Sequence, residues 1–262
     1  MGGQRPPLQS RHKQLALAPY RHIPGKAGQA LAQDKVSVGV FPVSSSLPYF
    51  VALEKGFFKE QNIEPEMTKL MGGPPNVAAM MTNQIEVSAV LAKNGLKDGD
   101  YTIDQLDMGQ HVNAMTAGTF DGGYTLEPNA SMMIKAGVAR SLEAGVISKY
   151  ILGDDAADAY AAGCAMTSDF IQKRPEVAKR FAAAWGKAID YINKNPDDAR
   201  KYLAKNTFTP DNVVDMVSML GYVMAGDMSA KQMADLQKLA DFGNSIGVVP
   251  EKLDVTKVLQ KF

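Results

Sequence analysis

Three consecutive serines, Ser44, Ser45 and Ser46, stand between a β-branched run and an apolar stretch of helical composition. Hydroxyls and free backbone N–H groups at such a junction suit the grip of a small polar or anionic molecule. Two further junctions have the same character. One is the Gly72 to Asn76 turn, where Gly72 and Gly73 permit close backbone approach and Asn76 adds an amide. The other is Ser88, near the end of the run IEVSAV. A fourth cluster, Tyr124, Thr125 and Glu127, closes the run TFDGGYTLEP. For any one serine, simple capping or turn formation explains the residue as well as ligand contact does.

Catalytic chemistry finds less support. Asp121 and Glu127 form the one acid–base pair that suggests itself, and no nucleophile, oxyanion motif or metal ligand accompanies them. GGPPN lacks the Lys-Ser or Lys-Thr of a phosphate loop, and no G-x-G-x-x-G opens a helix, which disfavours nucleotides. His111 is the only histidine after residue 32, and Cys164 is the only cysteine. An intrachain disulfide and a thiolate metal cluster are thereby excluded. The expectation is a binding protein rather than an enzyme, with no catalytic residue, no metal and no cofactor. Arginine is scarce beyond residue 32 (Arg140, Arg174, Arg180, Arg200), so hydroxyl and amide groups are better candidates for the grip than a guanidinium clamp.

The elements that would position these groups follow from periodicity. KVSVGVF reads as a buried strand, SSSLPYFVALEKG as a helix with Ser46 as N-cap and Gly56 as stop, and IEPEMTKLM as a second strand. GGPPN is a turn, NVAAMMTNQ a helix and IEVSAV a third strand. The β-α-β-α-β order predicts a parallel sheet with helices on its faces and ligand groups gathered at the strand ends. A short helix (LAKNGL), a strand (YTIDQLDMG), a helix (HVNAMTAG) and a strand (TFDGGYTL) continue the alternation. MTAGTFDGGY echoes MTNQIEVSAV, but the flanking residues do not match, so the echo is of one supersecondary unit and not of a repeat array.

After about residue 149 helices dominate. From Pro175 to Asn195 one helical face carries Val177, Phe181, Ala184, Trp185, Ile189 and Ile192, with Phe181 and Trp185 expected in the core. A second helix, Ser229 to Ser245, repeats the design with Met233, Leu236, Leu239 and Phe242, and Gly247 ends it.

Bulk composition narrows the partners. Of 262 residues 45% are apolar and 21% charged, ordinary values for a globular chain with formal charge zero. Five bases and no acid fall in the first 32 residues, so the remainder is mildly acidic and lacks the basic stripe that nucleic acid requires. Ala30-Leu31-Ala32 has the small-x-small pattern of a secretory cleavage site, but the apolar stretch that should precede it is missing. Residues 1–32 are read as an altered leader expected to be disordered; a flexible tail with an accidental pattern fits equally well. No apolar run approaches the roughly 20 residues that span a bilayer.

The stretch VSVGVFPVSSSLPYFVALEKGFFKEQNIEPEMTKLMGGPPNVAAMMTNQIEVSAV resembles the N-terminal lobe of ABC-importer solute-binding proteins of the nitrate, sulfonate, taurine and thiamine-precursor (NMT1-like) group. VALEKGFFKEQNIEPE carries most of the likeness; MTAGTFDGGYTLEP resembles the second lobe, and the stretch from Thr167 to Asn206 the helical return region. The resemblance covers about residues 33–262 and implies doubly wound α/β sheets in two lobes with a helical C-terminal region. It places 33–90 plus 164–262 in lobe 1 and 91–163 in a truncated lobe 2, because Val90 runs directly into what looks like the tail of a lobe 2 helix. The implied ligand residues are Ser44, Ser45, Ser46, Gly72, Gly73, Asn76, Ser88, Tyr124, Thr125 and Glu127. The implied partners are a small solute and ABC permease subunits, with no nucleic acid, for a monomer exported to the periplasm or cell exterior. Closure would follow from differential affinity, since only the closed form contacts solute from both lobes. A non-transporting sensory module, or a degenerate member that binds nothing, stays open at this point.

Overall fold

The computed structural model describes residues 32–70, 86–160 and 162–262. The leader 1–31, the Gly72 to Asn76 turn and the NVAAMMTNQ helix lie outside the described residues. Strand β1, Asp34–Val40, and strand β2, Ile63–Lys69, pair in parallel with Asp34 opposite Ile63 and Val40 opposite Lys69. Parallel pairing requires a crossover, and helices α1 (Leu47–Glu54) and α2 (Phe57–Glu60) supply it. Pro48 sits in the first turn of α1, where its missing N–H costs nothing. Gly56 ends α1 at φ +76°, a left-handed conformation that a Cβ would disfavour.

Beyond β2 the chain departs from the expected alternation. Residues 86–93 form one helix, α3, where a strand at 85–90 and a separate short helix at 91–96 were expected. Six alternating residues also fit the opening turns of a helix, and LAKNG supplies the rest. Asn94 donates to the Val90 carbonyl through both its backbone and its side-chain nitrogen, and Gly95 follows at φ +86°. The stretch 101–107 and the TFDGGYTL run form no strand. Gly122 and Gly123 carry a high backbone entropy cost on ordering, and no ladder partner offsets it. Among the described residues the sheet therefore has two strands. Helix α4, His111–Thr116, forms as the sequence predicts, and α5 covers Asn129–Lys135.

The C-terminal helices match their patterns. After α6, Ser168–Lys173, the long helix α7 runs Pro175–Lys194 and α8 runs Pro196–Asn206. Helix α9, Ala230–Ser245, opens on a capping box in which the Ser229 hydroxyl accepts from the Gln232 N–H and the Gln232 side chain accepts from the Ser229 N–H. A short helix α10, Val255–Val258, follows.

The core is an aromatic and aliphatic cluster between the α1/α2 crossover and α7. Phe58 lies 5.1 Å from Phe181 and 5.6 Å from Tyr49 between ring centroids, and Phe181 stacks on Trp185 at 6.0 Å. Val177, Ala184, Ala188 and Ile192 complete the buried α7 stripe. Burying each large side chain of this kind contributes about 1.5–3 kcal/mol. Polar ties fix the register of α7 against the sheet: Asp34 accepts from Arg180 at 2.5 Å and from Arg174 at 3.1 Å, while Arg180 also donates to the Gln61 carbonyl at 2.6 Å. These two guanidiniums, Arg180 foremost, hold the Asp34 carboxyl below the usual carboxylate range.

Candidate functional site

Strand β1 delivers Ser44–Ser46 directly to its C-terminal end, where they form a single 3₁₀ turn leading into α1. This is the edge at which parallel α/β sheets gather ligand groups. The Ser44 hydroxyl is buried, the residue being 4% exposed, and has no hydrogen-bond partner. Its carbonyl is fully used, accepting from the Leu47 N–H and from the Tyr222 hydroxyl at 2.7 Å. Ser46 occupies the N-cap position of α1 without a side-chain capping bond, so capping does not account for its hydroxyl. Ser45 is half-buried beside it.

A second group assembles from α3, α4 and the stretch leading into α5. Ser88 lies on α3, half-buried, and not at a strand end. Glu86, on the same helix, is 1% exposed and receives a hydrogen bond from Tyr124, while its Oε2 has no partner. Burial raises the pKa of Glu86, with the Tyr124 bond opposing, and burial followed by the Glu86 charge raises that of Tyr124. Thr125 Oγ1 lies 2.9 Å from His111 Nδ1, and His111 Nε2 lies 3.0 Å from the Leu106 carbonyl. A carbonyl only accepts, so Nε2 carries a proton, and Nδ1 and the Thr125 hydroxyl are hydrogen-bonded to each other. Glu127 accepts from both the N–H and the hydroxyl of Ser131, anchoring the first turn of α5, and Asn129 donates to the Met108 carbonyl at 2.7 Å.

The structure therefore divides the expected ligand residues. Ser44, Ser45 and Ser46 share one turn; Tyr124, Thr125 and Glu127 share another region with Ser88, and each of the first three already has an intramolecular partner. Gly72, Gly73 and Asn76 lie outside the described residues. The imagined pairing of Asp121 with Glu127 gains nothing here, because Asp121 is exposed and Glu127 is committed to Ser131. Among the described residues no cluster of His, Cys, Asp and Glu is arranged to hold a metal ion. Sequence reasoning missed Glu86 and Tyr222. An acid inside the apolar run IEVSAV was the available signal for Glu86; Tyr222, in an irregular segment, offered none.

Solved structures with a similar fold include ligand-binding proteins. The chain superposes on the ligand-binding component of an ABC-type import system from Staphylococcus aureus, solved with zinc bound, at TM-score 0.63 and 12% identity over 84% of this chain and 99% of that one. The alkanesulfonate-binding protein SsuA from Xanthomonas axonopodis pv. citri, bound to MOPS, gives TM-score 0.60 and 14% identity over 89% and 100%. The periplasmic aliphatic sulphonate-binding protein SsuA from Escherichia coli gives 0.57 and 14% over 86% and 97%. The shared fold is that of the periplasmic binding proteins. The profile of the NMT1-like family matches residues 78–208, half of the chain, and the protein belongs to that family. No curated protein matches the chain.

Proposed function

We propose that this protein is the solute-binding component of an ABC-type importer, capturing a small polar or anionic solute outside the cytoplasm and presenting it to permease subunits. The observation that carries the reading is the Ser44 hydroxyl, buried and unpartnered at the C-terminal end of a parallel strand, in a chain with the fold of import-system binding components. A donor kept dry and free at that edge is one whose hydrogen bond a ligand can complete. Ser45 and Ser46 belong to the same site, with Gly72, Gly73 and Asn76 retained from the sequence, and Ser88, Tyr124, Thr125 and Glu127 form a second group of ligand residues. The protein acts as a monomer, is not an enzyme and needs no cofactor.

The chain divides into two lobes, 33–90 with 164–262 and a shorter 91–163, with the serine turn and Ser88 in the first and Tyr124, Thr125 and Glu127 in the second. In support of that division, every buried residue of the main core cluster lies in 36–63 or 177–217. Residues 91–160 thus depend little on that core and can close on a solute at small cost to it.

The test is a thermal-shift screen of the full chain against taurine, alkanesulfonates, nitrate, pyrimidines and aromatic carboxylates. A solute at 100 times its dissociation constant stabilises the protein by about 2.7 kcal/mol. Ser44→Ala removes an unsatisfied hydroxyl, so the variant is expected to melt no lower than wild type while losing most of the solute-induced shift. An undiminished shift in Ser44→Ala would count against the assignment.

A further inference from the structure

Four buried side-chain oxygens among the described residues lack a partner: Ser44 Oγ, Tyr49 Oη, Tyr160 Oη and Glu86 Oε2. Three are neutral hydroxyls, which tolerate this state at modest cost. The fourth belongs to a carboxyl group, the most expensive polar group to leave unpaired away from water. Tyr124 satisfies one side of Glu86 only.

We propose that Glu86 is the specificity determinant of the solute site, accepting an N–H donor of the solute through Oε2, with Tyr124 as the residue that covers it. The inference rests on the solute-binding reading and narrows it to solutes bearing an amine, amidine or amino-heterocycle N–H. Against the ionised carboxylate a bare oxyanion has only lone pairs to present to Oε2 and is repelled there, whereas an N–H donor is accepted.

Access comes from the segment that carries Tyr124. Residues 119–126 join no strand ladder, and Gly122 and Gly123 precede the tyrosine with open space where a Cβ would stand. The backbone there can rotate without collision and without breaking a ladder bond. When Tyr124 withdraws, the solute N–H replaces its hydroxyl on Glu86 and also meets Oε2. The Thr125 hydroxyl is hydrogen-bonded to His111 and Asn129 donates to the Met108 carbonyl, so both are engaged away from the carboxyl.

Matched probes on the full chain test this. Taurine and ethanesulfonate differ by one ammonium group; benzamidine and benzoate differ in presenting N–H donors or carboxylate oxygens. An N–H member is expected to raise the melting temperature where its partner does not, and Glu86→Gln is expected to weaken that binding at least tenfold while melting no lower than wild type without probe. Tyr124→Phe, which removes the competing hydroxyl, is expected to tighten the same probe; a purely structural tyrosine would leave affinity unchanged and lower the melting temperature. Shifts by ethanesulfonate or benzoate that persist in Glu86→Gln overturn the inference and leave solute binding standing. Absence of any shift across the screen and the matched probes overturns both. A Glu86→Gln protein that melts well below wild type assigns the carboxyl to folding and overturns the inference alone.

Discussion

Tyr222→Phe isolates one hydrogen bond between the serine turn and the C-terminal half of the chain. The tyrosine ring is partly buried against the core, and phenylalanine retains that packing. What disappears is the O–H donor to the Ser44 carbonyl at 2.7 Å. That carbonyl keeps its second donor, the Leu47 N–H, so it is not stranded, and the full penalty for an unsatisfied acceptor does not apply. The expected loss is the net worth of one hydrogen bond, about 1 kcal/mol. For a folded unit of this size that corresponds to a fall of about 2–4 °C in Tm, with the urea m value unchanged. Paired thermal and urea denaturation measures both. The turn should also lose positional precision, so solute-induced stabilisation should shrink by more than the Tm alone accounts for. A Tm equal to wild type would refute the claim that this bond holds the turn. A loss approaching the roughly 3 kcal/mol of a core truncation would show that the ring had moved, refuting the assumption of retained packing.

Phe58→Ala removes the ring wedged between Tyr49 and Phe181 and is expected to cost about 3–5 kcal/mol in urea denaturation, a large share of the stability of an ordinary domain; a loss below about 1 kcal/mol would mean that the site collapses around the missing ring. Asp34→Asn tests the Arg180 and Arg174 pairing: because the folded carboxyl titrates below its unfolded range, its stabilisation is present above the ordinary carboxylate pKa and lost as pH falls through the depressed one. The variant should therefore be less stable than wild type near neutral pH, with the gap in urea midpoint closing in acid; a gap that does not narrow contradicts the pairing.

Where periodicity and capping agree over many residues, sequence and structure coincide. Val177, Phe181, Ala184 and Ile192 mark α7 by spacing, Pro175 and Pro196 bracket it, and the helix ends where those prolines predict. β1 and β2 follow from β-branched content and alternation. Residues 86–93 diverge because a six-residue apolar alternation fits either element, and the deciding signal, the Asn94-Gly95 stop, lies beyond it. TFDGGYTL diverges because strand formation depends on a neighbouring strand that local pattern does not reveal. The same division holds at the site. The serine turn is local to β1 and α1, so its position was legible. The partners of Tyr124, Thr125 and Glu127 depend on how α3, α4 and α5 meet, and the residue types alone announce three free polar groups where the fold ties each to a neighbour.

The distribution of apolar and polar contacts bears on how such a chain can bind and release. The elements carrying the serine turn share one dry aromatic cluster with α7 and α8, and separating them would expose it to water. The segment between is attached differently. Its C-terminal end is tied to α9 through Asp235, which accepts from the Asp158 N–H at 3.1 Å and from Lys231 at 2.7 Å, and through Lys231, which also donates to the Ala156 carbonyl at 2.9 Å. Exposed hydrogen bonds of this kind exchange with water at little net cost, but Asp235 is itself buried and would need water or another donor in place of those it lost. If the proposed two-lobe reading holds, a solute that bridges the serine turn and the Tyr124 region moves the second lobe and leaves the aromatic cluster intact. Under the same reading a ligand selects the closed form only by binding it more tightly than the open one, and each hydrogen bond made in the closed form alone adds to that difference.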